Sequence, residues 1–149
     1  MSPETARLSP IILAEQAGEF LTAAQRVFDV TKTLKVSIPA YFLTARSIEL
    51  ALKSFLVLKG HSVGQLKNIS HNLERGLDEA TTLGLHSILE PPPEQVAAIR
   101  AVNLYYNSKD LEYLTTGYKS YPDRLLLLAF AEQMLAALKT PLRAWRPPA

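Results

Sequence analysis

Three charged side chains, Arg46, Glu49 and Lys53, interrupt an otherwise apolar stretch from Tyr41 to Leu58. At i, i+3 and i+7 they fall on one stripe of a helix, and Glu49 precedes Lys53 by four residues, the favourable order for a helical ion pair. Two readings follow. The stripe is either a solvated seam whose ion pair contributes a few tenths of a kcal/mol, or one wall of a cleft. In the cleft, Arg46 and Lys53 meet a phosphate or nucleotide and Glu49 orients Lys53.

His71 and Asn72 follow Ser70 at the expected start of a later helix. His71 either supports the cap and the preceding turn, or acts as a ligand contact or proton-transfer group facing Lys53 across the helix corner. Asn72 either caps the helix or touches a ligand. Between Asn107 and Tyr121 lie Lys109, Tyr113, Tyr118 and Lys119. Tyrosine rings can stack on bases and lysines can pair with phosphates, but Asp110, Glu112 and Asp123 offset the lysines and favour packing over a bundle end. Lys139, Arg143 and Arg146 suit the carbonyl end of a last helix, with Trp145 beside them.

Metal chemistry finds little material. There is no cysteine, which removes disulfides and thiolate sites. The three histidines are scattered, and no Glu-x-x-His pair of the helical di-iron type occurs. The reverse spacing, His71 with Glu74, reads as two exposed groups on one helical face. No Gly-rich phosphate loop and no G-x-S-x-G elbow is present. The expectation is no metal, no cofactor and no catalytic residue.

Hydrophobic periodicity supplies the elements that hold these groups. A first helix spans about Ile11–Val30, with Leu13, Ala17, Phe20, Leu21, Ala24, Val27 and Phe28 at helical spacing. Ser37 caps a second helix, Pro39 suits its first turn and Gly60 follows its end, where a left-handed residue belongs. Ser62–Lys67 suggests one short helical turn. A third helix covers about His71–Leu83 with Gly84 behind it, and a fourth about Pro93–Asn107, burying Val96, Ile99, Val102 and Tyr106. A fifth runs from Pro122-Asp123 to about Lys139. Its apolar residues cover more surface than one neighbour can bury, so part of it is expected to meet a second subunit. No sustained strand alternation occurs. The fold class expected is all-α, a four- to five-helix up-and-down bundle.

The chain of 149 residues fits a single domain, with a core at about 10–140, a flexible N-terminus at 1–9 and a Pro-rich C-terminus at 141–149. Sixteen Lys and Arg against fourteen Asp and Glu give a net charge of +2, a weaker basic footprint than non-specific nucleic-acid binders usually show, which leaves room for a local basic patch without predicting one. The segment MSPETARLSP lacks the pattern of a secretory signal. The longest apolar run, Leu125–Ala131, is far short of the roughly 20 residues of a membrane span. A cytoplasmic protein without a membrane partner is expected.

Ser47 to Leu56, SIELALKSFL, resembles the A-x-E-x-x-L-K-A-L-L type segment in the second helix of the HEPN domain superfamily. His71-Asn72-Leu73 with Leu77 is similar to the H-[DN]-L-x-x-x-L start of the next HEPN helix. Asn107 to Tyr113, with Tyr118 and Pro122, resembles the Lys/Arg-Tyr-Pro region before the last one. The resemblance runs over roughly residues 10–140 and implies a HEPN-like bundle. Many members cut RNA with an Arg-x4–6-His pair that meets across a dimer. No Arg stands at that spacing before His61, His71 or His86, so the ribonuclease pair is absent.

The function expected is therefore a non-catalytic, homodimeric binding or regulatory module. As the resemblance implies, its partners would be a nucleotidyltransferase, in a two-component arrangement of the toxin–antitoxin kind, or a nucleotide or RNA. A second possibility is an RNA-cleaving or nucleotide-transferring enzyme with an atypical site around Lys53, His71 and Tyr113. A third is a purely structural interaction protein with no ligand.

Overall fold

The computed structural model describes residues 9–31, 37–109 and 120–148. Among them are six α-helices, one 3-10 turn and no strand: α1 (Pro10–Val30), α2 (Ile38–Leu58), α3 (Val63–Ile69), α4 (Leu73–Thr82), the 3-10 turn Leu85–Ser87, α5 (Pro93–Asn107) and α6 (Arg124–Ala144). The class is all-α. The count exceeds the four to five expected because the single turn foreseen near Ser62 is a helix in its own right. The Ser62 hydroxyl accepts from the Gln65 amide, and the Gln65 side chain accepts from the Ser62 amide. That reciprocal cap satisfies two donors at once and sustains seven residues of helix.

α2 is the axis of the molecule, packing against α1, α4, α5 and α6. Ser47 donates to the Ala17 carbonyl and Ser54 to the Pro10 carbonyl, both at 2.7 Å. Contacts that descend α1 as they climb α2 make the two helices antiparallel. Ala17, Ala24, Ala40, Ala45 and Ala51 are fully buried, so the backbones come close enough for serine to reach across. Those serines were not distinguishable in the sequence from ordinary helix-interior polar residues.

α4 and α5 also run antiparallel, with Asn72 beside Asn103 and Asp78 beside Arg100. α6 closes the core with Leu127, Phe130, Ala131, Met134 and Leu138 against α1, α2 and α5. Tyr41 donates to the Pro122 carbonyl at 2.6 Å, and the rings of Tyr41, Tyr121 and Tyr105 stack in series. These contacts pin the start of α6 beside the start of α2.

Three boundaries differ from expectation. α4 begins at Leu73, because Asn72 is its cap and His71 precedes it. α6 continues to Ala144 through Pro141 rather than ending near Lys139. A proline so close to a helix end removes only a bond from the fraying final turn. Residues 141–144 thus belong to the bundle, and the Pro-rich tail begins at Trp145. Arg146 donates to the Arg143 and Trp145 carbonyls, as a cation at a helix C-terminus should.

α6 is also long and apolar enough to cross a membrane by length and composition, with a mean hydropathy of 1.4 over its most apolar stretch, of which 28% is buried. Sequence reading considered only its unbroken apolar run and so overlooked this.

Candidate functional site

The Arg46/Glu49/Lys53 stripe is not a solvated seam. Glu49 is only 3% exposed, Lys53 14% and Arg46 31%. An ionised carboxylate at that depth needs partners for both oxygens, and Glu49 has four. Oε2 accepts from Arg46 at 2.7 Å and from Lys53 at 2.8 Å. Oε1 pairs with His71 Nδ1 at 2.9 Å and accepts from the Tyr106 hydroxyl at 2.5 Å. The stripe expected from α2 is thus joined by a residue from the corner before α4 and by another from α5.

Each partner is held by something else. Lys53 also donates to the Ser70 carbonyl at 2.7 Å. Ser70 has φ +55°, ψ −127°, a conformation that side chains disfavour and that persists where surrounding contacts impose it. It turns the Ser70 carbonyl toward Lys53 and delivers His71 to Glu49. The His71 ring stands edge-on to Tyr106, with centroids 5.9 Å apart. Arg46 lies over Phe20 of α1, 5.9 Å from the ring centroid.

Burial alone would push the Glu49 carboxyl up, but the Lys53 charge and hydrogen bonds from Lys53, Tyr106 and His71 outweigh it and hold it below the ordinary carboxylate value. Burial, then the neighbouring Glu49 charge, pushes the Tyr106 hydroxyl far above its usual range, so it remains a donor. Arg46 is held above its ordinary value: burial opposes its charge, and Glu49 more than compensates.

Above the carboxylate lies a pocket of about 430 Å³. Its polar wall carries Arg46, Glu49 and Lys53 of α2, Lys67 of α3, and His71. Leu13, Leu50, Val63 and Leu66 supply the apolar wall. With Nδ1 engaged by Glu49, the second ring nitrogen of the half-exposed His71 is left for whatever enters. Lys53 spends two of its three donors and Arg46 is not exhausted by Glu49. The chemistry on offer is recognition of an anion by rigidly held cations.

The remaining expected residues separate from this group. Asn72 is a cap: its Oδ1 accepts from the Arg75 amide at 3.1 Å and from Asn103 Nδ2 at 3.0 Å. Asn103 Oδ1 in turn accepts from the Leu73 amide at 2.7 Å. Lys109 sits beyond the end of α5 with φ +66° and does not line the pocket. Tyr113 and Tyr118 lie outside the described residues. His71 and Glu74 do not share a helical face, since His71 precedes the helix and turns to Glu49 while Glu74 pairs with Arg100. Among the described residues no cluster of three or more His, Asp and Glu could hold a metal ion.

Sequence reading assigned Tyr106 to the core only and missed its hydroxyl. A buried tyrosine must place that oxygen on a partner, which was the available signal. Lys67 and Ser70 carried none.

A second cavity of about 300 Å³, between α4 and α5, has Leu77, Leu85 and Val96 on its walls and Arg100 at its edge. Arg100 is already engaged by Glu74 and Asp78, so among the described residues that cavity has no lysine or arginine left uncommitted.

No family model, curated protein or solved structure matches this chain.

Proposed function

We propose that this protein is a non-catalytic, HEPN-like binding or regulatory module whose α2–α3 pocket takes a phosphate-bearing ligand, a nucleotide or an RNA. The observation that carries the reading is Glu49: one buried carboxylate holds Arg46, Lys53 and His71 against a pocket. Burial alone makes a carboxylate gather partners; their position on the wall of a cavity is what supports a ligand role. The sequence motifs around Ser47–Leu56 and His71–Leu77 supply the family component of the reading, and with it a nucleotidyltransferase as the protein partner and a cytoplasmic setting.

Homodimerisation is part of the same reading. It is supported by Leu125, 65% exposed on α6, Leu104, 69% exposed on α5, and the small buried share of the apolar stretch of α6.

Binding to the native state raises its stability. A thermal-melt panel of nucleotides and short RNAs is expected to contain at least one ligand that raises Tm by roughly 5–10 °C at a hundredfold excess over Kd. Lys53→Met should abolish the rise while retaining the helical spectrum. A flat panel for the parent protein contradicts the reading and favours a structural interaction protein. The His71–Glu49 dyad also has the form of an oriented base. Turnover of RNA that is lost in His71→Ala would favour the enzymatic alternative.

A further inference from the structure

We infer that the Ser70 hydroxyl is a ligand contact of the α2–α3 pocket, donating a hydrogen bond to a phosphate oxygen beside Lys53. This rests on the phosphate-ligand reading above and adds a specific residue to that site. The observation behind it is conformational. Ile69 to Asn72 form a tight turn, closed by the Asn72 amide on the Ile69 carbonyl at 3.1 Å. Ser70 is its second residue, with φ +55°, ψ −127°. Those angles match the second position of a type II′ turn, which glycine dominates because a Cβ is strained there. At two other positions of positive φ the chain has glycine, Gly60 at +99° and Gly84 at +93°. At Ser70 it carries a side chain instead.

The fold makes no use of that side chain. The Ser70 amide donates to the Leu66 carbonyl at 3.1 Å, and its carbonyl accepts from Lys53 at 2.7 Å. Glycine would make both bonds equally well. Ser70 is exposed, and its hydroxyl hydrogen-bonds none of the described residues. A strained position that the fold could relax without losing a bond points to a role in function. Ser70 borders the pocket, with Lys53 on its carbonyl and His71 next in the chain, both of which line the same pocket. A hydroxyl there can donate to an oxyanion whose charge Lys53 and Arg46 answer, as serine does at phosphate contacts generally.

Two variants separate the hydroxyl from the turn. Ser70→Ala removes the oxygen and keeps the Cβ, whereas Ser70→Gly removes both and relaxes the backbone. The test is calorimetric titration with adenosine 5′-monophosphate and with inorganic phosphate, alongside thermal melting. Both variants are expected to bind about tenfold more weakly than the parent, the loss of one hydrogen bond to a charged group. Ser70→Gly should nevertheless melt about 3–5 °C above the parent, with Ser70→Ala within about 2 °C of it. Parent affinity in both variants overturns the inference and leaves the phosphate site standing. Weakened binding in Ser70→Gly alone also overturns it, since stiffness of the turn would then be what matters. An unchanged or lower Tm in Ser70→Gly overturns it by showing that the side chain serves the fold. A parent protein that binds neither compound overturns the inference together with the reading on which it rests.

Discussion

At the scale of single residues, Glu49 decides the behaviour of the site. Its carboxyl is held below the ordinary carboxylate value in the folded chain and returns to about 4.3 when unfolded. The stabilisation this represents is complete above about pH 4.5 and is lost as pH falls through the lower folded value. Glu49→Gln removes it, so the stability gap between parent and variant should narrow as the pH is lowered from about 6 to about 3, measured by urea unfolding across that range. At neutral pH the variant should be less stable by about 3 kcal/mol, the cost of breaking a buried ion pair, with the partial exposure of Arg46 keeping it from being larger. A gap independent of pH would mean that Glu49 is not the ionised centre. Tyr106→Phe tests the other oxygen. Losing one hydrogen bond to a charged group should cost about 1.5–3 kcal/mol in the same assay, with the aromatic contacts to Phe42 and His71 preserved.

Elements explain why that site exists and how much of it was legible in advance. The spacing of Arg46, Glu49 and Lys53 placed them on one stripe of α2, and Ser37, Pro39 and Gly60 marked the ends of that helix correctly. The burial of the stripe was not legible, because it depends on α3 and the Ser70–His71 corner folding back over α2. Nothing local to α2 encodes that. The His71 reading was half met: it stands at the corner beside Lys53, but its partner is Glu49 and it lies outside the helix. Asn72 shows the reverse case, where a candidate ligand contact is a cap. The cap is reinforced from α5 by Asn103, a buried side chain bonded to Leu73 and Asn72 at once. Asn103→Ala should therefore cost about 2 kcal/mol by leaving the Leu73 amide buried and unpaired. It should also loosen the His71 corner, seen as faster hydrogen exchange at the start of α4 than elsewhere in the bundle. Uniform exchange would show that α5 does not hold that corner.

For the whole molecule, the all-α class was readable because five apolar periodicities and their caps agreed with one another. The sixth helix was foreseen only as a single turn at Ser62–Lys67, because the segment sustained by the Ser62–Gln65 cap is too short to show a period. An up-and-down bundle already implies antiparallel α1 and α2, but the Ser47 and Ser54 bonds that tie them together were not legible in the pattern. α6 carries a further consequence. It gives the core Leu127, Phe130, Met134 and Leu138 yet leaves Leu125 outside, so a dimer formed along it should dissociate when a charge is introduced there. Leu125→Glu is expected to shift the mass by light scattering from two chains to one with the helical spectrum unchanged. A parent protein that is already a single chain would contradict the dimer. Phe130→Ala, in the fully buried part of the same helix, should instead cost about 3–5 kcal/mol.

The central claim is that the pocket over Glu49 is where this protein meets its ligand. The most direct measurement is a nuclear magnetic resonance titration of the isotope-labelled chain with adenosine 5′-monophosphate, following backbone amides and the imidazole nitrogens of the histidines. The account predicts saturable shifts at Lys53, Lys67, Ser70 and His71, with the cavity around Leu77 and Arg100 unmoved. Saturable shifts centred on that second cavity, or none at the Glu49 pocket up to millimolar nucleotide, would contradict it.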